Sequence, residues 1–319
     1  IVNSNKKSLK VDVVSGIKNL KTRLYLRVSD GIEVQPEFYD IEISNKGERK
    51  TLDFTVSLPN EKSLISNVFY EADVNGKSYF RAIDKVIYDH MTPQTRFPKS
   101  DVSLIKFDIN LKANKVGYLM GSGDKVPESL SLVGYDVDLL EKNDINLKKL
   151  ENYDALIIGV RAFNSDKSLF EIKSKLMDYM NLGGNVIVQY NTSRNLDVNK
   201  FAPYPFKLSR KRVSQEDANV LMTNKNHAAL NYPNKIKIED FDGWVQERGL
   251  YFPDSWSDKY QTVISSNDIG EDPNEGGILI GKVGKGHFVY TSYSWFRQLP
   301  AGVGGAYKIF SNLLSLGKK

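Results

Sequence analysis

The chain has 319 residues, a formal net charge of +5, no cysteine and three histidines. This length fits two domains that each bury a core, and no apolar run approaches the roughly 20 residues that cross a bilayer. Basic and acidic residues are interspersed, without the basic block typical of a nucleic-acid-binding protein. The composition therefore predicts a globular protein that neither spans a membrane nor binds nucleic acid, with few candidate nucleophiles or metal ligands.

Residues 1–90 alternate apolar and polar positions in short runs, for example at 9–13, 24–28, 39–43 and 52–56. A period of two is typical of half-buried strands, and Asn75-Gly76 is a strong hairpin signal. Short strands at this spacing predict an antiparallel β-sandwich of immunoglobulin-like type over 1–90. Residues 91–112, which contain Pro93 and Pro98, are predicted as a linker.

From residue 113 to residue 319, buried-strand runs alternate with segments of helical spacing. The runs at 116–120, 155–160 and 185–190 predict central strands, and Gly183-Gly184 predicts a helix end before the third. This alternation predicts a doubly wound α/β domain with a mostly parallel sheet. In such sheets ligands bind beyond the carboxyl ends of the strands. The polar residues at those ends are Asp124, Arg161, Asn164, Gln189, Tyr190 and Asn191.

Two later segments, 241–252 and 293–300, combine aromatic, charged and amide side chains at high density. We expect them to face the same cleft as the strand ends and to complete one pocket. Glu247 and Arg248 would be either an acid and a positioning cation or a structural ion pair. Four aromatic residues would either stack on a sugar ring or lie in the core: Trp244, Tyr251, Trp256 and Trp295. The remaining pocket candidates are Arg297 and Gln298.

Other motifs favour structural interpretations. The run Gly121-Ser122-Gly123-Asp124 lacks the third glycine of a dinucleotide fingerprint and the lysine of a P-loop, so a tight turn is the better interpretation. The three histidines, His90, His227 and His287, are scattered and lack the spacing of zinc ligands. We therefore predict no metal site in this chain.

Several segments together resemble the C-terminal region of the long bacterial PIG-L (LmbE-like) deacetylases. They are YDH (88–90), GSGDKVP (121–127), GVRAFN (159–164), VQYNT (188–192), GWVQERG (243–249) and RQLPAG (297–302). The resemblance covers nearly the whole chain. It implies an immunoglobulin-like module followed by a class I glutamine amidotransferase-like, flavodoxin-like domain, both downstream of a zinc-dependent deacetylase domain.

The sequence departs from that family at both catalytic centres. The His-Pro-Asp-Asp zinc motif of the deacetylase is absent, so the resemblance implies zinc only in an upstream domain and no cofactor in this chain. The family's elbow cysteine is replaced within Tyr190-Asn191-Thr192-Ser193. The expectation is a non-catalytic accessory region that binds carbohydrate or a partner through a degenerate amidotransferase-like pocket. It would serve an attached N-acetyl-sugar deacetylase.

Two alternatives remain open. The chain would be a hydrolase acting on a sugar or acyl substrate if Glu247 were a general base, with Arg161 or Arg297 stabilising an oxyanion. It would be a structural component of a cell-surface assembly if the aromatic clusters formed an interface. The sequence begins at Ile1 without a methionine, which suggests a processed or excised segment covalently joined to upstream sequence. By analogy with sugar-processing proteins, an extracytoplasmic location is expected.

Overall fold

The computed structural model describes residue 1 and residues 5–318, and the chain divides into two compact units, Ile1–Asp108 and Ile109–Lys319. Each unit has a hydrophobic core of its own. No helix among the described residues is long and apolar enough to cross a bilayer.

The first unit is built from strands in two antiparallel sheets with the orders β1-β5-β3 and β10-β6-β2-β4, while β7 pairs with β6 and β8 pairs with β9. Apolar side chains from both sheets, such as Phe54 and Val68, share one core. The strands are β1 (Lys6–Val14), β2 (Leu20–Arg27), β3 (Glu33–Gln35), β4 (Phe38–Ile43), β5 (Arg49–Ser57), β6 (Leu64–Val74), β7 (Lys77–Tyr79), β8 (Asp84–Tyr88), β9 (Met91–Arg96) and β10 (Asp101–Lys106).

The first unit extends beyond the predicted boundary at residue 90. The segment 91–112, predicted as a linker, contains β9 and β10, and β10 pairs with β6 from Asp101 opposite Phe69 to Lys106 opposite Leu64. Leu104 of β10 is buried in the core of this unit. Pro93 and Pro98 are typical of a connection between domains, whereas the alternating pattern of β10 begins only after them.

The second unit is organised around a seven-stranded sheet with the order β12-β11-β13-β14-β23-β22-β20. The strands β12, β11, β13, β14 and β23 are parallel to their neighbours. Strand β22 is antiparallel to β23, and β20 is antiparallel to β22. The elements are β11 (Lys115–Leu119), α1 (Val126–Val133), β12 (Asp136–Leu140), α2 (Leu147–Leu150), β13 (Ala155–Ile158), α3 (Ala162–Ser165), α4 (Lys173–Leu182), β14 (Asn185–Gln189), β15 (Phe206–Leu208), β16 (Arg212–Val213), β17 (Asn219–Met222), α5 (Ala228–Asn231), β18 (Gly249–Leu250), β19 (Pro253–Trp256), β20 (Tyr260–Gln261), β21 (Ile264–Asn267), β22 (Ile278–Val283), β23 (Gly286–Thr291), α6 (Trp295–Gln298) and α7 (Gly304–Leu314).

The predicted fold class is wrong. In place of an immunoglobulin-like sandwich followed by a doubly wound α/β domain, the chain is rich in β structure, with 39% strand and 19% helix. The main sheet is mixed, and the two-stranded sheets β15–β19, β16–β18 and β17–β21 lie beside it. Between β14 and β22 the chain forms short strands instead of a single crossover helix. Strands of two to four residues are too short to show a readable period in the sequence.

Helix α4 shows how sequence and packing agree locally. Its buried residues Leu176, Tyr179 and Met180 recur at helical spacing and face the core. The helix ends at Gly183, whose φ of 117° lies in the left-handed region that glycine adopts without a Cβ clash. Strand β14 begins two residues later and runs through the middle of the sheet to Gln189.

Candidate functional site

The candidate site lies where strands β13 and β14 end. Val160 and Arg161 follow β13, Tyr190 follows β14, and the Arg161 backbone N–H donates to the Tyr190 carbonyl oxygen at 2.9 Å. Val160, Tyr190 and Leu250 form a small apolar cluster, against which Tyr251 and Phe296 pack. Residues far apart in the sequence therefore meet at one edge of the sheet. We call the set formed by Val160, Tyr190, Leu250, Tyr251 and Phe296 the aromatic cleft.

Close backbone approach brings Leu250 and Tyr251 to this edge. Gly249 forms an isolated β-bridge with Tyr293, and the Leu250 N–H donates to the Ser292 carbonyl oxygen at 2.9 Å. A Cβ atom at position 249 would lie 2.6 Å from that same carbonyl oxygen. Only glycine permits this approach, so Gly249, the last residue of the GWVQERG motif, has a structural role.

Three aromatic rings line the cleft. The rings of Tyr190 and Tyr251 are nearly parallel, with an interplanar angle of 4° and centroids 6.2 Å apart. The ring of Phe296 is tilted by 35° and lies 5.4 Å from that of Tyr190. Tyr190 is 8% exposed, whereas Tyr251 and Phe296 are half-buried. The arrangement provides apolar ring surface at a place that solvent reaches.

An ion pair borders the rings. Glu247 and Arg297 are 3.0 Å apart, with side chains 12% and 32% exposed. The Arg297 guanidinium also donates to the side-chain oxygen of Gln246, and its central carbon lies 4.9 Å from the Phe296 ring centroid. The pair therefore fixes loop 245–247 beside Phe296. Glu247 pairs with Arg297 and not with its sequence neighbour Arg248.

Arg161 is the exposed cation of the cleft. Its backbone lies in the left-handed region with φ 56° and ψ 24°, and within the described residues no ion pair or hydrogen bond of its guanidinium is found. Burial raises the pKa of the Tyr190 hydroxyl, and the positive charges of Arg161 and Arg297 act in the opposite direction. The two guanidinium groups and Glu247 therefore lie within electrostatic reach of Tyr190.

Backbone strain is concentrated at this cleft. Arg161, Gln246 and Tyr251 all have positive φ, at 56°, 67° and 55°. A residue with a side chain adopts this conformation at a cost of about 1–3 kcal/mol when its surroundings impose it. Such residues cluster at ligand-binding sites, which makes their grouping here a pointer to function.

Trp244 and Arg248, two of the predicted pocket residues, lie in the core. The Trp244 indole packs against Phe241, Tyr293 and Trp295. Arg248 is 3% exposed, donates to the carbonyl oxygens of Ala218 and Phe241, and lies over the Trp244 ring at 5.3 Å. Burial lowers the pKa of its guanidinium.

The other predicted stacking residues also divide between core and cleft. Trp295 is fully buried and donates through Nε1 to the Thr291 hydroxyl at 2.8 Å. Trp256 packs against the main core of the second unit. Of the aromatic platform expected from the sequence, Tyr251 alone lies in the cleft.

Gln298 and Asn164 hold the loops that carry the cleft. Gln298 Nε2 donates to the carbonyl oxygens of Val245 and Glu247, at 2.9 and 3.2 Å, and Oε1 accepts from the Val245 N–H at 2.8 Å. Asn164 makes a similar pair of bonds to Thr192, at 2.8 Å and 3.2 Å. Both amides bond to protein backbone, so their role in the site is to position it.

Gln189 and Asn191 are buried polar residues, and the half-buried Asp124 is linked to Gln189 through Tyr118. Gln189 Nε2 donates to the Tyr118 hydroxyl at 2.8 Å, and that hydroxyl donates to Asp124 at 2.7 Å. Asp124 also accepts from the Val126 N–H at 3.0 Å, as expected for a turn residue. Gln189 Oε1 and Asn191 Oδ1 are buried and have no donor within the described residues. A buried acceptor of this kind is costly unless a donor reaches it.

The histidines have structural contacts away from the cleft residues. His227 Nδ1 accepts from the Ala229 N–H at 3.1 Å, and His287 Nδ1 lies 3.2 Å from Asn185 Oδ1. His90 is exposed in the first unit. In the described part of the chain, no group of three or more His, Cys, Asp or Glu side chains is placed to hold a metal ion.

Sequence reasoning missed Phe296, Val160, Leu250 and Gln246 as members of the site. Phe296 lies between Trp295 and Arg297 in the segment 293–300, which is predicted to face the cleft. The sequence does not show which of the two adjacent aromatic residues faces the core. Val160 and Leu250 are apolar and gave no chemical signal. Their place in the cleft depends on tertiary packing.

A separate groove of about 740 Å³ lies in the first unit. Apolar residues of β1, β2 and β6 line it, together with residues 79–83 and 99–102. None of the sequence-predicted site residues takes part in this groove. Its lining is mainly apolar but also includes charged residues, among them Arg49, Arg81 and Asp101.

No family model and no curated protein matches this chain. Among solved structures, a cytoplasmic protein of Salmonella typhimurium LT2 is 12% identical with a TM-score of 0.45, covering 64% of this chain and 100% of that protein. A ThuA-like protein of Bacteroides uniformis is 11% identical with a TM-score of 0.42, covering 64% and 93%.

A β-galactosidase of Rahnella is also similar at 11% identity, with a TM-score of 0.40 over 66% of this chain. The matched part is 32% of the galactosidase, so this chain spans about a third of that enzyme. The TM-scores of these three similarities, 0.40 to 0.45, are too low to assign a fold or a function to this chain.

Proposed function

We propose that the second unit is a carbohydrate-binding module with no catalytic centre of its own, and that the sugar packs against Tyr251 and Phe296. The supporting observation is the group of rings around Tyr190, at 6.2 and 5.4 Å, where strands of the sheet end. The C–H face of a sugar ring is apolar and packs on aromatic surface, while its hydroxyl groups need polar partners. Arg161 and Gln246 are exposed beside the rings and offer such partners.

The environment of Glu247 supports binding over catalysis. One oxygen of its carboxylate lies 3.0 Å from Arg297 and the side chain is 12% exposed, so an ion pair and not an unpaired carboxylate borders the cleft. Arg297 in turn donates to Glu247 and to the side-chain oxygen of Gln246, so two of its nitrogens are already engaged within the chain. Both groups act in this proposal as supports for the loop that flanks Phe296.

The sequence resemblance extends this proposal to the whole protein. In the PIG-L-like arrangement the module would hold N-acetyl-sugar chains for an attached deacetylase domain, in an extracytoplasmic compartment. The zinc chemistry would belong to that other domain. A protein partner in place of a sugar is the competing ligand class, because exposed aromatic rings also serve as interface anchors.

The test is calorimetric titration with tetrasaccharides of N-acetylglucosamine and of glucose. We expect Tyr251→Ala to weaken binding about tenfold or more, which is about 1.4 kcal/mol, because the substitution removes a stacking surface. The matched control is Tyr204→Ala, since Tyr204 is half-buried in the same unit and packs against Tyr260. Both variants are checked for folding by circular dichroism.

Equal losses in the two variants, or no binding of any sugar by the native chain, would contradict the proposal. Products released from the tetrasaccharides, measured by mass spectrometry and abolished by Glu247→Gln, would favour the hydrolase alternative instead.

A further inference from the structure

Arg161 gives the aromatic cleft an unbalanced positive charge. The charges that act on Tyr190 are Arg161, Arg297 and Glu247. Glu247 and Arg297 form an ion pair at 3.0 Å and largely cancel one another. The guanidinium of Arg161 has no carboxylate partner within the described residues and is exposed to solvent. One positive charge is therefore available to a ligand that packs on the rings.

The backbone that carries Arg161 is held by several hydrogen bonds. Its N–H donates to the Tyr190 carbonyl oxygen at 2.9 Å, and its own carbonyl oxygen accepts from Asn164 and Ser165 at 3.0 and 2.9 Å. These bonds impose the left-handed conformation, which an ordinary surface arginine would not adopt. The side chain therefore starts from a fixed point beside Tyr190.

Three carboxylates of the second unit accept hydrogen bonds from groups other than Arg161. Asp124 accepts from the Tyr118 hydroxyl and from the Val126 N–H. Glu216 accepts from the Gln246 N–H at 2.7 Å. Asp166 accepts from the Ser168 N–H at 2.8 Å. None of these three carboxylates forms an ion pair with Arg161 within the described residues.

We propose that the cleft takes a sugar that carries a carboxylate, a uronic acid residue, whose acid group binds Arg161 while its ring packs on Tyr251 and Phe296. The proposal rests on the carbohydrate-binding function proposed above. A guanidinium presents two parallel N–H donors that match a carboxylate, and such charge-assisted pairs are shorter and stronger than neutral hydrogen bonds. A sulfate ester is another anionic substituent that a sugar could offer to the same group.

The experiment compares one pair of ligands that differ in a single group. A tetrasaccharide containing glucuronic acid is titrated against its carboxyl-reduced counterpart, which has glucose at the same position. We expect the acid form to bind at least about tenfold more tightly at low salt, and the difference to shrink at about 0.5 M NaCl because ions screen an exposed charge pair. A sulfated counterpart of the reduced sugar forms the third arm.

Arg161→Asn is the informative variant, because asparagine tolerates the left-handed backbone and removes the charge. We expect it to abolish the preference for the acid form, so that the variant binds the acid and reduced forms with affinities within about twofold of one another. Arg194→Asn is the matched control, since Arg194 is exposed on the loop that follows β14 and its loss removes the same charge. The control is expected to keep the preference.

The outcomes separate this inference from the function on which it rests. Equal affinity for the acid and reduced forms would overturn the inference and leave carbohydrate binding intact. Preference for the sulfated arm would overturn the carboxylate assignment. Loss of the preference in both arginine variants would overturn the role of Arg161. If neither sugar bound at all, the carbohydrate-binding function itself would be contradicted.

Discussion

Gln298 is a fully buried polar side chain that holds a surface loop in place through hydrogen bonds. Its amide bonds to the backbone of Val245 and Glu247, and to the Ser294 hydroxyl at 3.2 Å. Loop 245–247 lies outside the regular strands, so its backbone polar groups depend on partners of this kind. The positions of Gln246 and Glu247 in the cleft therefore depend on Gln298.

We expect Gln298→Ala to lower the free energy of unfolding by about 1–3 kcal/mol, because it leaves buried backbone donors and acceptors unpaired. Sugar affinity is expected to fall as well, since the loop that carries Glu247 loses its anchor. Thermal unfolding and calorimetric titration measure the two effects. Gln94→Ala, an amide-to-alanine change at an exposed position of β9, is the control.

A variant that keeps native stability and affinity would show that the loop is held by other contacts. A stable variant with weakened sugar binding would also contradict the argument, because the two effects have one cause.

Glu247 and Arg248 show what adjacency in sequence leaves undecided. Glu247 turns to Arg297 at the cleft, whereas Arg248 turns to the carbonyl oxygens of Ala218 and Phe241 in the core. In extended backbone, neighbouring side chains point to opposite sides. A charged pair in the sequence therefore predicts an ion pair only when the backbone conformation is known.

At the scale of elements, β14 and β23 are joined to the end of the C-terminal helix through the side chain of Asn185. Asn185 and His287 are opposite one another in parallel register, and His287 Nδ1 lies 3.2 Å from Asn185 Oδ1. Asn185 Nδ2 donates to the carbonyl oxygens of Leu314 and Leu316, which leaves Oδ1 to accept from the imidazole. The contact ties the amino ends of both strands to the end of α7.

This contact predicts a loss of stability in mild acid. Burial lowers the pKa of His287 below its ordinary value of 6.5, with Lys282 and His227 acting in the same direction. The unfolded chain then binds the proton more readily than the folded chain does. Stability is therefore complete above pH 6.5 and falls as the pH drops from there toward the lower folded pKa.

Urea unfolding of the native chain and of His287→Gln, followed between neutral and mildly acidic pH, measures the effect. We expect the variant to be less stable at neutral pH, because it loses the ring packing. We also expect its free energy of unfolding to fall less steeply than that of the native chain as the pH drops below 6.5. His90→Gln changes an exposed histidine of the first unit and should leave the native profile unchanged. An unaltered acid slope in His287→Gln would contradict the assignment.

The long apolar runs of the second unit correspond to strands. The runs at 116–120, 155–160 and 185–190 overlap β11, β13 and β14, because strands buried on both faces consist of continuous apolar residues. The short strands from β15 to β21 gave no comparable signal. Their pairing joins segments distant in sequence, for example β17 with β21, and the sequence alone does not show such partners.

At the scale of the whole molecule, the chain is two units, each built around its own core. The sequence indicated two domains, but the structure sets the division at residue 108, because β10 completes a sheet of the first unit. The fold class was wrong because composition and periodicity report the type of a long element and not the connections between short ones.

The candidate site was predictable in part for the same reason. Strand-end residues such as Arg161 and Tyr190 could be named because a sheet edge gathers them. Leu250 reaches the cleft through the long connection after β14, and Phe296 reaches it through the turn after β23. Those paths are set by tertiary packing, so the sequence suggested chemistry without showing which side chains meet.

The most direct test of the proposed binding surface is a nuclear Overhauser spectrum of the protein with isotopically labelled tyrosine and phenylalanine rings. The spectrum is recorded with an excess of the tetrasaccharide that contains glucuronic acid. Binding on the aromatic cleft predicts contacts from sugar C–H protons to the rings of Tyr251 and Phe296, and their loss in Tyr251→Ala. Contacts confined to aromatic rings that line the groove of the first unit, such as Tyr79 and Phe80, or no contacts at all, would contradict it.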